Sequence, residues 1–285
     1  MHTNTEQCTC YDRIWASFIF FTRLPLWRLH EPPKESYKTV VEHWPLTGWL
    51  TGGLMAATLY VGSLFLPYMV AVLLAIAVRM FLTGALHEDG LADFFDGFGG
   101  GGSDRGRILT IMKDSHIGTF GVLGLVLYIL LLASALFSMP AETAALTILA
   151  ADPFAKMLTA GLITLPYARK EEEAKAKVVY RRISLRSAVS LALQGLLPMI
   201  ILGFSPNLPL VGRGAITDCI VEGGKYVFLP LKGELEWGFP FFVSIVVYTL
   251  LYMFIRRRLQ GYTGDCCGAV CLLVELSVFL AMSAL

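Results

Sequence analysis

The sequence predicts an all-α fold: a polytopic integral membrane helical bundle of about seven transmembrane helices, with an N-terminal interfacial or re-entrant helix ahead of them. Three observations carry this expectation. The composition, 55% hydrophobic and 16% charged with a mean hydropathy of +0.63, is too apolar for 285 residues to cover themselves with polar surface. Apolar stretches of roughly 18–22 residues, the length that crosses ~30 Å of hydrocarbon as a helix, recur along the whole chain. Lysine and arginine gather in alternate connections. The net charge of +1 argues against nucleic acid as a partner, because binding a phosphate backbone needs a concentrated basic surface.

Residues 1–44 carry charges throughout and no cleavable apolar core, so no signal peptide is expected and this segment reads as cytoplasmic or interfacial. Within it, 13–29 is apolar, aromatic and edged with arginine. It is too short to cross and is stopped by Pro25, which suits a helix lying in the interface. The expected spans are 46–66, 68–86, 117–138, 144–166, 188–204, 238–255 and 266–285, forming one domain over 1–285 with no internal repeat. Alternating the connections puts eighteen basic residues on the side of the N-terminus and only Arg213, Lys225 and Lys232 on the other. The positive-inside rule therefore sets the N-terminus in the cytoplasm.

In the connections, 167–187 mixes an acidic triplet with seven basic residues. Glu171/Lys175 and Glu173/Lys177 are i, i+4 pairs that a solvated helical turn explains, while Arg169 directly follows a span and can reach an anionic substrate. The long loop 205–237 carries no assignable chemistry and reads as a surface loop with a short hairpin. The six cysteines show no CxxC spacing and are expected to be reduced and structural.

The chemistry concentrates between His87 and Gly97, where four acidic residues interrupt an apolar chain. If this run continues the preceding helix, Asp89, Asp93 and Asp96 fall at i, i+4 and i+7 on one face. Two ionised carboxylates ~5–6 Å apart repel by roughly 3 kcal/mol at an effective dielectric of ~20, so three ask for a cation. Oxygen-only donors favour Mg²⁺, which takes one or two protein carboxylates and completes its shell with water and substrate phosphate. The expectation is a diphosphate held through Mg²⁺. The alternative is a solvated acidic helix end that binds nothing.

Other polar groups support a phosphate site less specifically. Gly97 and Gly99 to Gly102 let backbone amides approach a ligand, though the run lacks the ending of a P-loop and also suits a plain flexible connection. Asp114 serves either as a further ligand and activating group or as a cap for the next helix, and Lys113 and Arg107 either offset phosphate charge or snorkel. His87 and His116 sit at span ends, where imidazole acts as acid, base or hydrogen-bond donor or is simply structural. Arg79 is a lone charge in a span, and Asp152 and Lys156 can neutralise each other at i, i+4. Asp265, among Gly261, Gly264 and Gly268, is either a ligand-facing carboxylate or the cap of the last helix.

These blocks together resemble the cobalamin synthase family, the adenosylcobinamide-GDP ribazoletransferases. The resemblance rests on the runs His87–Gly97, Ile111–Gly118 and Gly261–Gly268, with Phe21–Pro25, Pro45–Gly48 and Tyr167–Arg169 in the same order. It implies a Mg²⁺-dependent enzyme of the bacterial cytoplasmic (inner) membrane that joins adenosylcobinamide-GDP to α-ribazole, or its 5′-phosphate, and releases GMP. Asp89, Asp93 and Asp96 would bind the metal, with Asp96, Asp114 and His87 as catalytic groups facing the cytoplasm. Arg23, Lys113, Arg169 and Asp265 would hold substrate. The corrinoid-GDP, α-ribazole and the lipid bilayer are the implied partners, and self-association into a homo-oligomer stays open. Lys156 stands where the resemblance leads one to expect arginine, and Arg79 receives no role.

Two other classes remain open on the residues alone. Membrane prenyltransferases and CDP-alcohol phosphotransferases also set spaced aspartates on a diphosphate, but the second Asp-rich motif or Ala-Arg pairing they use is missing. A transporter would place its carboxylates near mid-span.

Overall fold

Each of the seven apolar stretches is a helix. The computed structural model describes residues 8–169, 180–181, 183–203, 219–222, 225–228 and 238–285; the Glu171/Lys175 and Glu173/Lys177 pairs and most of 205–237 lie outside them. The helices are α1 (Cys10–Phe21), α2 (Trp44–Ser63), α3 (Tyr68–Thr83), α4 (Leu86–Gly100), α5 (Arg105–Lys113), α6 (Thr119–Phe137), α7 (Ala141–Ala160), α8 (Leu185–Gly203), α9 (Gly238–Leu259) and α10 (Gly264–Ser283). Between α8 and α9 lies an antiparallel hairpin, β1 (Cys219–Glu222) and β2 (Lys225–Phe228). Among the described residues, α6, α7 with its extension to Thr164, α9 and α10 are long and apolar enough to cross a membrane, and the bent pair α3–α4 makes five if counted as one span. α2 has the length, but four glycines and three threonines dilute its hydropathy.

α1 is a 12-residue helix, too short to cross, started by a capping box between Thr9 and Asp12. α4 does not continue α3. Gly84 and Ala85 both take left-handed backbone angles and turn the chain through 91°. The Arg23 side chain lies against Gly84, where any Cβ would strike it.

Two devices hold the bundle. Small residues let backbones approach: a Cβ at Gly48 would come within 2.8 Å of Pro153 on α7, and one at Gly52 within 2.9 Å of Asp152 Cβ. This Gly-xxx-Gly spacing was a legible packing signal in the sequence. The second is a buried charged layer. Arg79 donates to Glu275 Oε2 (2.5 Å) and to the Tyr128 hydroxyl (2.6 Å), joining α3, α10 and α6. Lys156 pairs with Asp152, Thr51 donates to Asp152 Oδ2 (2.6 Å), and Lys156 donates to the Thr51 hydroxyl (3.2 Å), joining α7 to α2. Arg79 thereby acquires the reason the sequence withheld: a charge at membrane depth stays only when paired.

Candidate functional site

Close packing of α4 on α10 builds a cavity. A Cβ at Gly90 would lie 3.0 Å from the Asp265 carbonyl oxygen, and one at Gly268 3.1 Å from the His87 carbonyl oxygen, so each glycine is what lets the other helix come near. Thr263 caps α10 by accepting the Cys266 amide at 3.2 Å, which releases Asp265 from capping and leaves it buried in the first turn. Residues 166–168 run beside 261–262: Ala168 N–H donates to the Tyr262 carbonyl (2.8 Å) and Tyr262 N–H to that of Pro166 (2.9 Å). Gly261 admits this approach, since a Cβ there would meet the Pro166 carbonyl at 2.6 Å. The strap delivers Arg169 to Asp265, Nη2 to Oδ2 at 3.5 Å, with both side chains buried.

The cavity holds about 270 Å³ and is lined by α1, the start of α2, α4, residues 167 and 169, Tyr180 and the start of α10. Four predicted site residues, His87, Asp89, Arg169 and Asp265, line it together although they lie up to 178 positions apart. Arg169 Nη2 also donates to the Leu109 carbonyl (3.2 Å), while its Nε is buried without a partner among the described residues. His87 Nε2 and Trp44 Nε1 are buried in the same state. A buried donor or acceptor left unmade costs ~1–3 kcal/mol, so three such atoms on residues that line the cavity mark it as a candidate site.

The three-carboxylate stripe requires correction. Asp89 faces the cavity and is exposed, and Asp93 is half-buried one turn further on. Asp96 is buried and turned to α6: its Oδ2 accepts the Gly118 amide (2.7 Å) and its Oδ1 that of Gly121 (2.8 Å). Those amides belong to a helix start, where donors lack intrahelical acceptors and negative charge is favoured, so Asp96 docks α6 onto α4. Among the described residues no three His, Cys, Asp or Glu side chains converge as a metal cage. What remains at the cavity, Asp89 and Asp265, is a pair of hard oxygen donors. That set fits a Mg²⁺ ion that draws the rest of its shell from phosphate and water.

Asp114 also lies elsewhere. It ends α5, is exposed, and accepts from the His116 ring (2.7 Å) and amide (3.0 Å), bonds that hold its carboxyl below the usual range. It caps neither α6 nor the cavity. Lys113 is exposed beside it, and Arg23 is exposed at the α3–α4 bend; neither is among the lining residues. Glu88 was passed over in the sequence, yet it is buried with Oε2 unpartnered among the described residues. The five cysteines whose side chains are described are free thiols.

A family model described as cobalamin-5-phosphate synthase matches residues 13–283. Relatives named adenosylcobinamide-GDP ribazoletransferase include that of Shewanella woodyi, 31% identical over 288 residues, 99% of this chain and 98% of that protein. That of Ralstonia nicotianae is 33% identical over 276 residues, covering 95% and 94%, and that of Leptothrix cholodnii 34% over 272 residues, covering 93% and 92%. No solved structure matches.

Proposed function

The chain belongs to the cobalamin-5-phosphate synthase family, and we propose that the cavity between α4 and α10 is where it joins adenosylcobinamide-GDP to α-ribazole, or its 5′-phosphate, with release of GMP. The observation that supports this placement is the meeting of His87, Asp89, Arg169 and Asp265, drawn from three distant stretches, around one buried space.

In this reading a ribose hydroxyl oxygen of the acceptor bonds to the cobinamide-side phosphorus, and the bond from that phosphorus to the bridging oxygen breaks, leaving GMP. The hydroxyl proton is released to solvent as the new ester forms. Arg169 holds diphosphate charge with its unpartnered Nε, kept in place by Asp265 and the Leu109 carbonyl. His87 Nε2 accepts the hydrogen bond of the attacking hydroxyl and orients it. Asp89 and Asp265 would hold Mg²⁺, with Asp93 one turn away. Bound there, such an ion would supply charge neutralisation for the diphosphate and the leaving phosphate. Arg23 and Lys113, both exposed, attract the anionic substrate toward the mouth.

The lining supports a cytoplasmic sidedness. Phe20, Phe21, Trp44, Asp89, Arg169 and Asp265 all come from, or border, connections of the lysine- and arginine-rich set. By the positive-inside rule this supports a site on the cytoplasmic side, which the resemblance puts at a bacterial inner membrane. The test is full-length protein given adenosylcobinamide-GDP, α-ribazole and Mg²⁺, scored for GMP and cobalamin against a chelator control. Asp89→Asn and Asp265→Asn should each lower GMP release by about 10²-fold while remaining folded. Near-normal rates in both would move the site elsewhere.

A further inference from the structure

Arg105 opens α5 and has no place in the chemistry above, yet its guanidinium joins two distant stretches. Nε donates to the Leu259 carbonyl (2.6 Å) and Nη2 to the Ala168 carbonyl (2.7 Å), 154 and 63 positions away. Leu259 ends α9, where the last carbonyls lack intrahelical donors and a cation is favoured. Ala168 is the strap residue directly before Arg169, and its own amide is the one that donates to Tyr262. Nε and Nη2 are parallel donors on one edge of the guanidinium. A single rigid fork therefore sets the spacing between the end of α9 and the strap.

α5 is in turn fixed to the helix that carries Asp89. Asp104 caps it by accepting the Gly106 amide (2.8 Å) and the Arg107 amide (3.4 Å). Ile108 and Met112 are fully buried; a Cβ at Gly97 would strike Met112 Cγ at 2.5 Å, and one at Gly101 would strike Ile108 Cγ1 at 2.5 Å. These two glycines thus seat α5 on α4. The contacts close a ring: α4 to α5, α5 to the strap through Arg105 and through the Leu109 carbonyl, Arg169 to Asp265 on α10, and α10 back to α4 at Gly90 and Gly268.

We propose that Arg105 is a positioning residue for the transfer, bracing the strap so that Arg169 stays at Asp265. Its effect on substrate rests on the transferase reading above; its effect on the strap rests on the hydrogen bonds alone. Arg105 is exposed and does not line the cavity, so its action runs through Arg169. Lysine is no replacement, because one compact ammonium does not set two donors at the spacing of the fork.

The test uses full-length Arg105→Lys, which keeps the charge and loses the fork. Hydrogen exchange read by mass spectrometry needs no substrate. Peptides holding the Ala168 and Tyr262 amides should exchange about tenfold faster than in the wild type, the worth of one hydrogen bond, while those of α2 and α7 keep their rate. Unchanged exchange at 168 and 262 overturns the proposal, as does faster exchange throughout the chain, which would make Arg105 a general stabiliser. In turnover, Arg105→Lys should raise KM for adenosylcobinamide-GDP about tenfold and leave KM for α-ribazole unchanged. The double variant with Arg169→Lys should be no worse than Arg169→Lys alone, whereas independent effects would multiply. A multiplied loss, or an equal rise in both KM values, overturns the proposal. Arg169→Lys with wild-type kinetics would sink the transferase reading of this cavity alone, and exchange at the strap would still decide the brace.

Discussion

Replacing Asp96 by asparagine separates two roles that the sequence could not. As a metal ligand, Asp96 would contribute to Mg²⁺ affinity; as the clamp on α6, it contributes to stability. Its two oxygens accept the Gly118 and Gly121 amides at 2.7 and 2.8 Å, and a Cβ at either glycine would collide with the carboxylate, so the seat is shaped for it. Asparagine keeps one acceptor and turns an amide toward the other donor. The loss is one charge-assisted bond, ~1.5–3 kcal/mol, plus the charge at a helix N-terminus, ~0.3–1 kcal/mol. Asp96→Asn should therefore cost about 2–4 kcal/mol, or roughly 4–16 °C in Tm at ~2–4 °C per kcal/mol. A thiol-reactive dye reads the melt as the rise above the signal of exposed Cys10, because Cys266, Cys267 and Cys271 are buried until unfolding. The Mg²⁺ concentration for half-maximal GMP release should not change, whereas Asp89→Asn should raise it without moving Tm. An Asp96→Asn protein that melts within about 1 °C of wild type but needs ~10-fold more Mg²⁺ would refute the clamp.

Arg79→Met leaves Glu275 buried and unpaired, which costs about 3–5 kcal/mol, while Arg79→Met with Glu275→Leu should recover most of it; equal melting of single and double variants would dissolve the pairing. Gly48→Ala should cost about 1–3 kcal/mol because the methyl meets backbone of Pro153, whereas Gly53→Ala, whose nearest neighbour is a leucine methyl at 3.9 Å, should be neutral or stabilising by up to ~1 kcal/mol. Burial lowers the His43 pKa, and its Nδ1 accepts from Gln194 Nε2 at 3.3 Å, so the neutral ring is the folded form. A depressed pKa gives stability that is complete above about pH 6.5 and is lost as pH falls below it. The fall in Tm between about pH 7.5 and 5.5 should shrink in His43→Gln; an unchanged slope would assign it to other groups.

The sequence by itself determined the class of protein and the positions of its long apolar helices. Each of these is encoded locally: a span by its run of apolar residues, a charged cluster by its cost in an apolar chain. It also carried the family resemblance, because motifs survive in order along a chain. The sequence did not determine what the charged groups touch. Asp89 and Asp96 share a helix seven residues apart, yet one meets the cavity and the other the start of α6, because α4 packs between α6 and α10. Arg79 found Glu275 across 196 positions, and Arg169 found Asp265 only through a strap that Gly261 permits. The bend at Gly84 and Ala85 decided the rest. A right-angle turn between two helices moves the acidic run from the end of a span to the wall of a site, and no periodicity within either helix records it.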